Sequence, residues 1–208
     1  MKGIFAINKP VGPTSHDIID QLRKKTGEKR IGHAGTLDPL ASGVLVVAIG
    51  REFTKQLAGL VKKEKEYIAE IKLGQYSSTD DEEGEKEEVK KISTVDQSQI
   101  ENLLPKFIGQ IRQMPPVYSS VKIKGQPAHR RVRRGEKVEL GERQVEIKEI
   151  KILGYDWPIL KLRVVCGPGV YIRSLARDIG KELAVGGYLY SLIRTRVGDY
   201  TLDQAIVI

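Results

Sequence analysis

The 208-residue chain has a single cysteine and three histidines. One thiol, Cys166, cannot close an intramolecular disulfide, so a disulfide-stapled secreted domain is excluded, and three imidazoles with one thiol make no structural zinc set. No stretch approaches the ~20 apolar residues of a membrane helix, the longest strongly apolar run being Val44 to Ile49. Lys2 precedes a short strand-like run with neither an apolar signal core nor a cleavage site, and the expected location is the cytoplasm. The phosphate-loop pattern G-x-x-x-x-G-K-[ST], the dinucleotide pattern G-x-G-x-x-G and the zinc pattern H-E-x-x-H are all missing, which removes the usual support for nucleotide hydrolysis and zinc proteolysis. Internal repeats and low-complexity linkers are missing too.

What the chain does carry is positive charge. Lys and Arg number 35 against 27 Asp and Glu, a net charge of +8 with a pI near 9.4, while 40% hydrophobic residues suffice for a folded core. Residues 80–88 hold seven acids and one base, so the remainder has 34 bases against 20 acids. A surface that basic attracts a polyanion, most commonly nucleic acid. The acidic stretch lacks the alternating ligand spacing of a calcium loop and reads as a solvated loop.

The local patterns predict a mixed α/β (α+β) fold with a largely antiparallel sheet. Gly3 to Asn8 is strand-like and ends in a Pro-Gly-Pro turn. Thr14 or Ser15 can cap a helix with Ile18, Ile19 and Leu22 on one face and Gly27 as its stop. Gly32 to Gly43 reads as a glycine-punctuated loop leading into a buried strand, Val44 to Ile49. Tyr67, Ala69, Ile71 and Leu73 alternate with polar or exposed positions, as do Leu160, Leu162, Val164 and Cys166, so both segments are strands with one face in the core. Cys166 on that face is read as core. Thr94 to Gly109 is helical with a break at Pro105, Met114-Pro115-Pro116 is extended, and Val145 to Ile152 and Leu189 to Val197 are strands. Ile172, Leu175, Ala176, Ile179 and Leu183 have helical spacing.

Three segments are candidates for chemistry. In Gly32-His33-Ala34-Gly35-Thr36-Leu37-Asp38-Pro39-Leu40-Ala41-Ser42-Gly43, Asp38 is the one acid of an otherwise uncharged loop. It either shapes an Asx turn, the ordinary role of Asp before Pro, or does chemistry. Gly167-Pro168-Gly169-Val170-Tyr171-Ile172-Arg173 is a glycine-rich turn opening a helix. A cation in that first turn opposes the helix dipole, so Arg173 is either solvent-facing or paired with an anion, and Asp38 is the acid to pair with it. Lys122, Lys124, Arg130, Arg131, Arg133 and Arg134 place six bases in thirteen residues, broken by Gly125-Gln126-Pro127 into a hairpin or arm suited to phosphate contact.

Taken in order, these segments resemble the bacterial TruB-type tRNA pseudouridine synthases. The resemblance rests on Asn8-Lys9-Pro10-Val11-Gly12-Pro13-Thr14-Ser15, the Gly32 to Gly43 segment, Lys65-Glu66-Tyr67, Pro115-Pro116-Val117-Tyr118-Ser119-Ser120-Val121-Lys122, Val170-Tyr171-Ile172-Arg173 and Leu192-Ile193-Arg194. It implies a pseudouridine synthase fold, a single catalytic domain with a basic arm at about residues 115–140, and isomerisation of uridine 55 in the T-loop of tRNA. It further implies that Asp38 is catalytic, that Arg173 pairs with it, that Tyr67 lies against the target base, and that His33, Tyr171 and Leu192 contact substrate. The base would leave the stack to expose its glycosidic bond, and neither cofactor nor metal is required. The expected partner is the T-stem and T-loop of tRNA, bound by a monomer.

The sequence departs from the family pattern at three places. The arm has His129-Arg130-Arg131-Val132-Arg133-Arg134-Gly135 where a tyrosine is usual. Ser77-Ser78-Thr79-Asp80-Asp81 replaces alternating Thr and Asp. Relatives continue past the equivalent of Ile208 into a small RNA-binding domain, whose absence is expected here. The competing readings are a non-catalytic tRNA-binding or tRNA-folding protein on the same scaffold, which would not need Asp38, and a synthase acting on another RNA.

Overall fold

In a computed structural model, residues 2–89, 94–119, 121–123, 125–132, 134–136 and 138–208 are described, with the backbone alone for Lys122, Ile123, Pro127, His129 and Arg130. In chain order the elements are β1 (Gly3–Lys9), α1 (Ser15–Thr26), β2 (Ile31–Ala34), β3 (Ala41–Ile49), α2 (Arg51–Thr54), α3 (Leu57–Val61), β4 (Lys65–Leu73), β5 (Gln75–Ser77), β6 (Lys86–Glu88) and α4 (Gln97–Leu103). After a 3-10 turn (Leu104–Phe107) come β7 (Gly109–Gln113), β8 (Lys122–Ile123), β9 (Gln126–Pro127), α5 (Ala128–Val132), β10 (Arg143–Asp156), β11 (Ile159–Cys166), α6 (Ile172–Glu182), β12 (Gly187–Val197) and β13 (Tyr200–Thr201). Among the described residues the main sheet has nine strands on the path β1-β3-β12-β4-β11-β10-β7, with β2 on β3 and β13 on β12. The sheet is mixed, because β3 runs antiparallel to β1 and β2 but parallel to β12. This is the mixed α/β class that the periodicities indicate.

Packing divides the chain into two compact units. The first comprises Met1–Ala69, Arg163–Pro168 and Ser191–Ile208. Its centre is β3, whose residues Val44 to Ile49 are all fully buried, each Val, Leu and Ile side chain there contributing about 1.5–3 kcal/mol of burial. One edge of β3 pairs with β1; the other is shared, with β2 along Val46 to Ile49 and β12 along Ala41 to Gly43. The segment read as a loop from Gly32 to Gly43 is therefore a loop only between β2 and β3. Its flanks lie in the sheet because the apolar run of β3 must complete its ladder on both edges. Helix α1 starts at a Thr14–Asp17 capping box and stops at Gly27, whose φ of 70° is left-handed, as the cap residues indicate.

The second unit comprises Glu70–Leu162 and Gly169–Tyr190. Here α4 runs into the 3-10 turn at the predicted Pro105 break, β10 pairs with β7, and α6 turns Leu175, Ala176 and Ile179 inward at no exposure. The 80–88 stretch faces solvent at Glu82, Glu83, Glu85, Glu87 and Glu88, as a solvated loop should, and departs from that expectation at Asp81. It belongs to the β5–β6 hairpin, and Asp81 is only 3% exposed. Burial of that acid is made possible by arginines of α6, about ninety residues downstream.

Candidate active site

Asp38 lies in the first unit, in the turn between β2 and β3, and every backbone carbonyl from Gly35 to Pro39 has a donor. Arg194 on β12 donates from Nη2 to Gly35 O at 3.0 Å and from Nη1 to Thr36 O at 3.4 Å. The Ser15 hydroxyl donates to Leu37 O at 3.0 Å and accepts from the Leu37 N–H at 2.8 Å. The Ala41 N–H donates to Asp38 O at 3.1 Å, and the Gly12 N–H to Pro39 O at 2.8 Å. Lys9 Nζ reaches Pro10 O and Pro13 O, both at 2.8 Å, and Pro39 O at 3.4 Å. A loop held at five consecutive carbonyls fixes the backbone from which its one carboxylate projects, a first requirement of a preorganised reactive group.

Arg194 is the central strut. It is 1% exposed, and its Nε donates at 2.7 Å to Val44 O, in the interval on β3 between the β2 and β12 pairings. Gly43 is required for this approach. Its φ is 100°, and a Cβ there would overlap the backbone of Arg194. The sequence reading assigned Arg194 no role, although alternation from Leu192 places it on the core face of β12, and a cation on a core face is itself a signal.

Tyr67 on β4 is buried, at the start of the core face formed with Ala69, Ile71 and Leu73, so the packing part of its predicted double role is met. Burial raises its hydroxyl above the ordinary 10.0 despite the nearby Arg194 charge and hydrogen bond, and the Asp38 carboxylate adds to the rise. The phenol therefore keeps its proton beside that carboxylate. Leu192 is buried on β12 in register with Ala41, next to the same turn. His33 sits on β2 opposite Val47. Burial lowers its pKa below 6.5, with the Arg194 charge acting in the same direction. The unfolded chain then binds a proton that the folded chain refuses, so stability is lost as pH falls from about 6.5 toward the depressed value. An NMR titration of the His33 ring should show a midpoint below 6.5; one at or above 6.5 contradicts this. Burial also pushes the Cys166 thiol up to about 12, leaving it inert core as expected.

In the second unit, Tyr171 is the residue before α6 and Gln113 brackets it, accepting from its N–H at 2.9 Å and donating to its carbonyl at 3.1 Å. Arg173, 6% exposed, donates to Asp81 Oδ2 and Thr79 O at 3.3 Å each and to Tyr118 O at 2.9 Å. One turn on, Arg177 reaches Asp80 Oδ2 and Asp178 Oδ1, both at 2.9 Å. Two of the seven acids of the 80–88 stretch, Asp80 and Asp81, are thus counter-ions of α6. Burial raises Asp80, and the Arg177 and Arg173 charges oppose that rise. Asp81→Ala removes one partner of a buried ion pair, with an expected stability loss of about 3 kcal/mol. A denaturation midpoint equal to wild type would show the pair to be dispensable.

The basic arm is a β8–β9 hairpin followed by α5, consistent with the predicted break. Arg134 is exposed, whereas Arg131 is tied at 2.6 Å to Glu136, an acid just beyond the basic segment. Lys124 and Arg133 lie outside the described residues, as do the side chains of Lys122 and Arg130. A second basic surface went unnoticed in the sequence because its members are scattered. Lys2, Arg51 and Lys55 line a cavity of about 430 Å³ around Gly50 in the first unit, with Glu52 as its acid. No cluster of His, Cys, Asp and Glu suited to a metal occurs among the described residues, and no helix there is long and apolar enough to cross a membrane.

Residues 23–172 match the family described as TruB family pseudouridylate synthase (N terminal domain). The chain is similar to tRNA pseudouridine synthase B of Thermobifida fusca, 46% identical over 98% of this chain and 72% of the relative. It is also similar to the protein of the same name from Parabacteroides distasonis, 43% identical over 98% of this chain and 88% of the relative. Among solved structures, a chain of a Cbf5-Nop10-Gar1 complex superposes with a TM-score of 0.77 at 30% identity. That likeness covers 99% of this chain, which spans about half the length of the matched one.

Proposed function

This chain belongs to the TruB family of pseudouridylate synthases and makes pseudouridine in tRNA, and on that basis we propose that its target is uridine 55 of the T-loop and that Asp38 carries the reaction. The supporting observation is the turn around Asp38, in which each of five consecutive backbone carbonyls, from Gly35 to Pro39, has a hydrogen-bond donor. A turn needed only to reverse the chain would not require that many constraints.

The uridine leaves the stack, and its base is received against the Tyr67 ring. Asp38, ionised, acts on the flipped nucleotide; the bond from ribose to ring nitrogen breaks, the uracil rotates, and carbon 5 is joined to the ribose, the proton that carbon 5 loses being balanced by one taken up on the ring nitrogen freed from the ribose. Tyr67 stays protonated and gives the base a flat apolar face. Arg173 is assigned to Asp38 as the cation that favours its ionised form, and His33, Tyr171 and Leu192 to the substrate. The reaction is an isomerisation, so atoms balance without redox change. The T-stem phosphates are assigned to the arm bases Lys122, Lys124, Arg130, Arg131, Arg133 and Arg134, with Lys2, Arg51 and Lys55 as further contacts. The reading includes a monomer acting in the cytoplasm.

The test is position-resolved mapping of pseudouridine in tRNA and ribosomal RNA after incubation with purified protein. Modification at uridine 55 alone supports the reading; modification elsewhere in tRNA or in ribosomal RNA moves the target. For the phosphate contacts, neutralising Arg130, Arg131, Arg133 and Arg134 together should flatten the salt dependence of tRNA binding by about one logarithmic unit for each phosphate neutralised by these side chains in the wild type. An unchanged slope removes the arm from the interface.

A further inference from the structure

Lys86 is the one base among residues 80–88, and its ammonium is enclosed by the turn that supplies the Arg173 counter-ion. From β6 it donates to Glu82 O at 2.6 Å, Gly84 O at 2.7 Å and Asp81 O at 3.4 Å. The Glu82 carboxylate is 3.7 Å away, and the Tyr188 ring centre lies 4.7 Å from Nζ. The Tyr188 hydroxyl is in turn hydrogen-bonded to Glu82. Three carbonyl dipoles, a carboxylate and an aromatic face thus converge on one cation, the donor set of a small ion site filled by a side chain of the protein itself.

The same turn fixes Asp81. Its carbonyl accepts from the Ser77 hydroxyl at 2.5 Å, and its Oδ1 from the Glu83 N–H at 3.1 Å and from the Thr79 hydroxyl. Oδ2 is left facing Arg173 Nη1. Asp80 holds a left-handed φ of 61°, and a Cβ on Gly84 would strike the hydroxyls of Ser77 and Thr79, so the turn has little room to relax. Without the Lys86 ammonium the carbonyls of Asp81, Glu82 and Gly84 would face one another beside the Glu82 carboxylate with no donor from Lys86, while Arg173 and Arg177 counter only Asp81 and Asp80.

We infer that Lys86 is a positioning residue for the isomerisation: it holds the 80–84 turn closed, so that Asp81 fixes the Arg173 guanidinium. The inference rests on the reading that Arg173 belongs to the reaction site. Lysine suits the place better than arginine, because a compact ammonium has three donors for three converging carbonyls, whereas a planar fork does not match them.

The experiment compares wild type, Lys86→Ala, Lys86→Met and Lys86→Arg in single-turnover pseudouridine formation on tRNA at saturating enzyme, alongside tRNA Kd. All three variants should react at least roughly tenfold more slowly, since small misplacements of a site are costly, with Kd within about twofold of wild type. Ethylammonium should restore part of the Lys86→Ala rate, whereas tetramethylammonium at equal ionic strength, which has no N–H to donate, should not. Loss of Lys86 in an Asp81→Asn background should add little, because both changes act on one contact. A wild-type rate in Lys86→Ala or Lys86→Met overturns the proposal. So does equal rescue by both ammonium ions, or a weakened Kd with the saturated rate unchanged, which would make Lys86 an RNA contact. If Lys86→Ala does not fold, Lys86→Met keeps the apolar stem against Tyr188 and decides by its rate. Arg173→Ala isolates the underlying reading: wild-type turnover by that variant removes Arg173 from the site whatever Lys86 does.

Discussion

Asp38→Asn is expected to bind tRNA with wild-type affinity and to form pseudouridine slower by roughly 10²–10⁴-fold or more, the range that loss of a single acid-base or nucleophilic group produces. The substitution preserves the shape of the side chain and removes its ionisable oxygen. The turn should survive, because its closure depends on backbone groups: the Ala41 N–H on the Asp38 carbonyl, and the struts from Arg194, Ser15, Gly12 and Lys9 on the neighbouring carbonyls. Binding should survive because the cations assigned to phosphate lie in other segments. Single-turnover rates with saturating enzyme separate the two quantities. A comparable rate in the Asn variant would show that the carboxylate only shapes the turn, and the competing view of a tRNA-binding protein without chemistry would gain what the catalytic assignment loses.

The largest structural effect is expected at Arg194. Arg194→Met keeps the length and apolar stem of the side chain but leaves the carbonyls of Val44, Gly35 and Thr36 without their donor. The buried Val44 acceptor left unsatisfied costs about 1–3 kcal/mol and the part-buried Gly35 and Thr36 carbonyls less, so a Tm lower by roughly 5–10 °C is expected for a chain of this size. Turnover should fall with it, since the same donors hold the segment leading to Asp38 and the Tyr67 hydroxyl. Arg194→Lys should recover only part of either quantity, one ammonium being unable to span carbonyls on two sides of a guanidinium. Calorimetry and turnover on both variants provide the check. An Arg194→Met protein with wild-type Tm and rate would mean that Ser15, Gly12, Lys9 and the Ala41 N–H hold the turn without Arg194.

Several elements were legible in the sequence because their cause is local. The period of two from Tyr67 to Leu73 reports a strand whose alternate residues are all buried, and the Thr14 and Gly27 caps bound α1, since capping satisfies backbone groups within one turn. The ordered motifs likewise singled out Asp38, Tyr67 and Leu192. Other features had no local cause. Asp80 and Asp81 sit in a run of seven acids, which by charge density alone should face water. Asp81 is buried and Asp80 partly so, because Arg173 and Arg177, 92 and 97 residues away, bring opposite charge to them. Arg194 reaches Val44, Gly35 and Thr36 across 150 or more residues, and nothing in a window around either end announces the bond. Sequence by itself determined the strands, the capped helix and the candidate carboxylate, because periodicity and capping are satisfied between near neighbours. Only the tertiary structure decided which buried charges meet, because taking a charge out of water is tolerable only beside a partner, and that partner comes from a distant part of the chain.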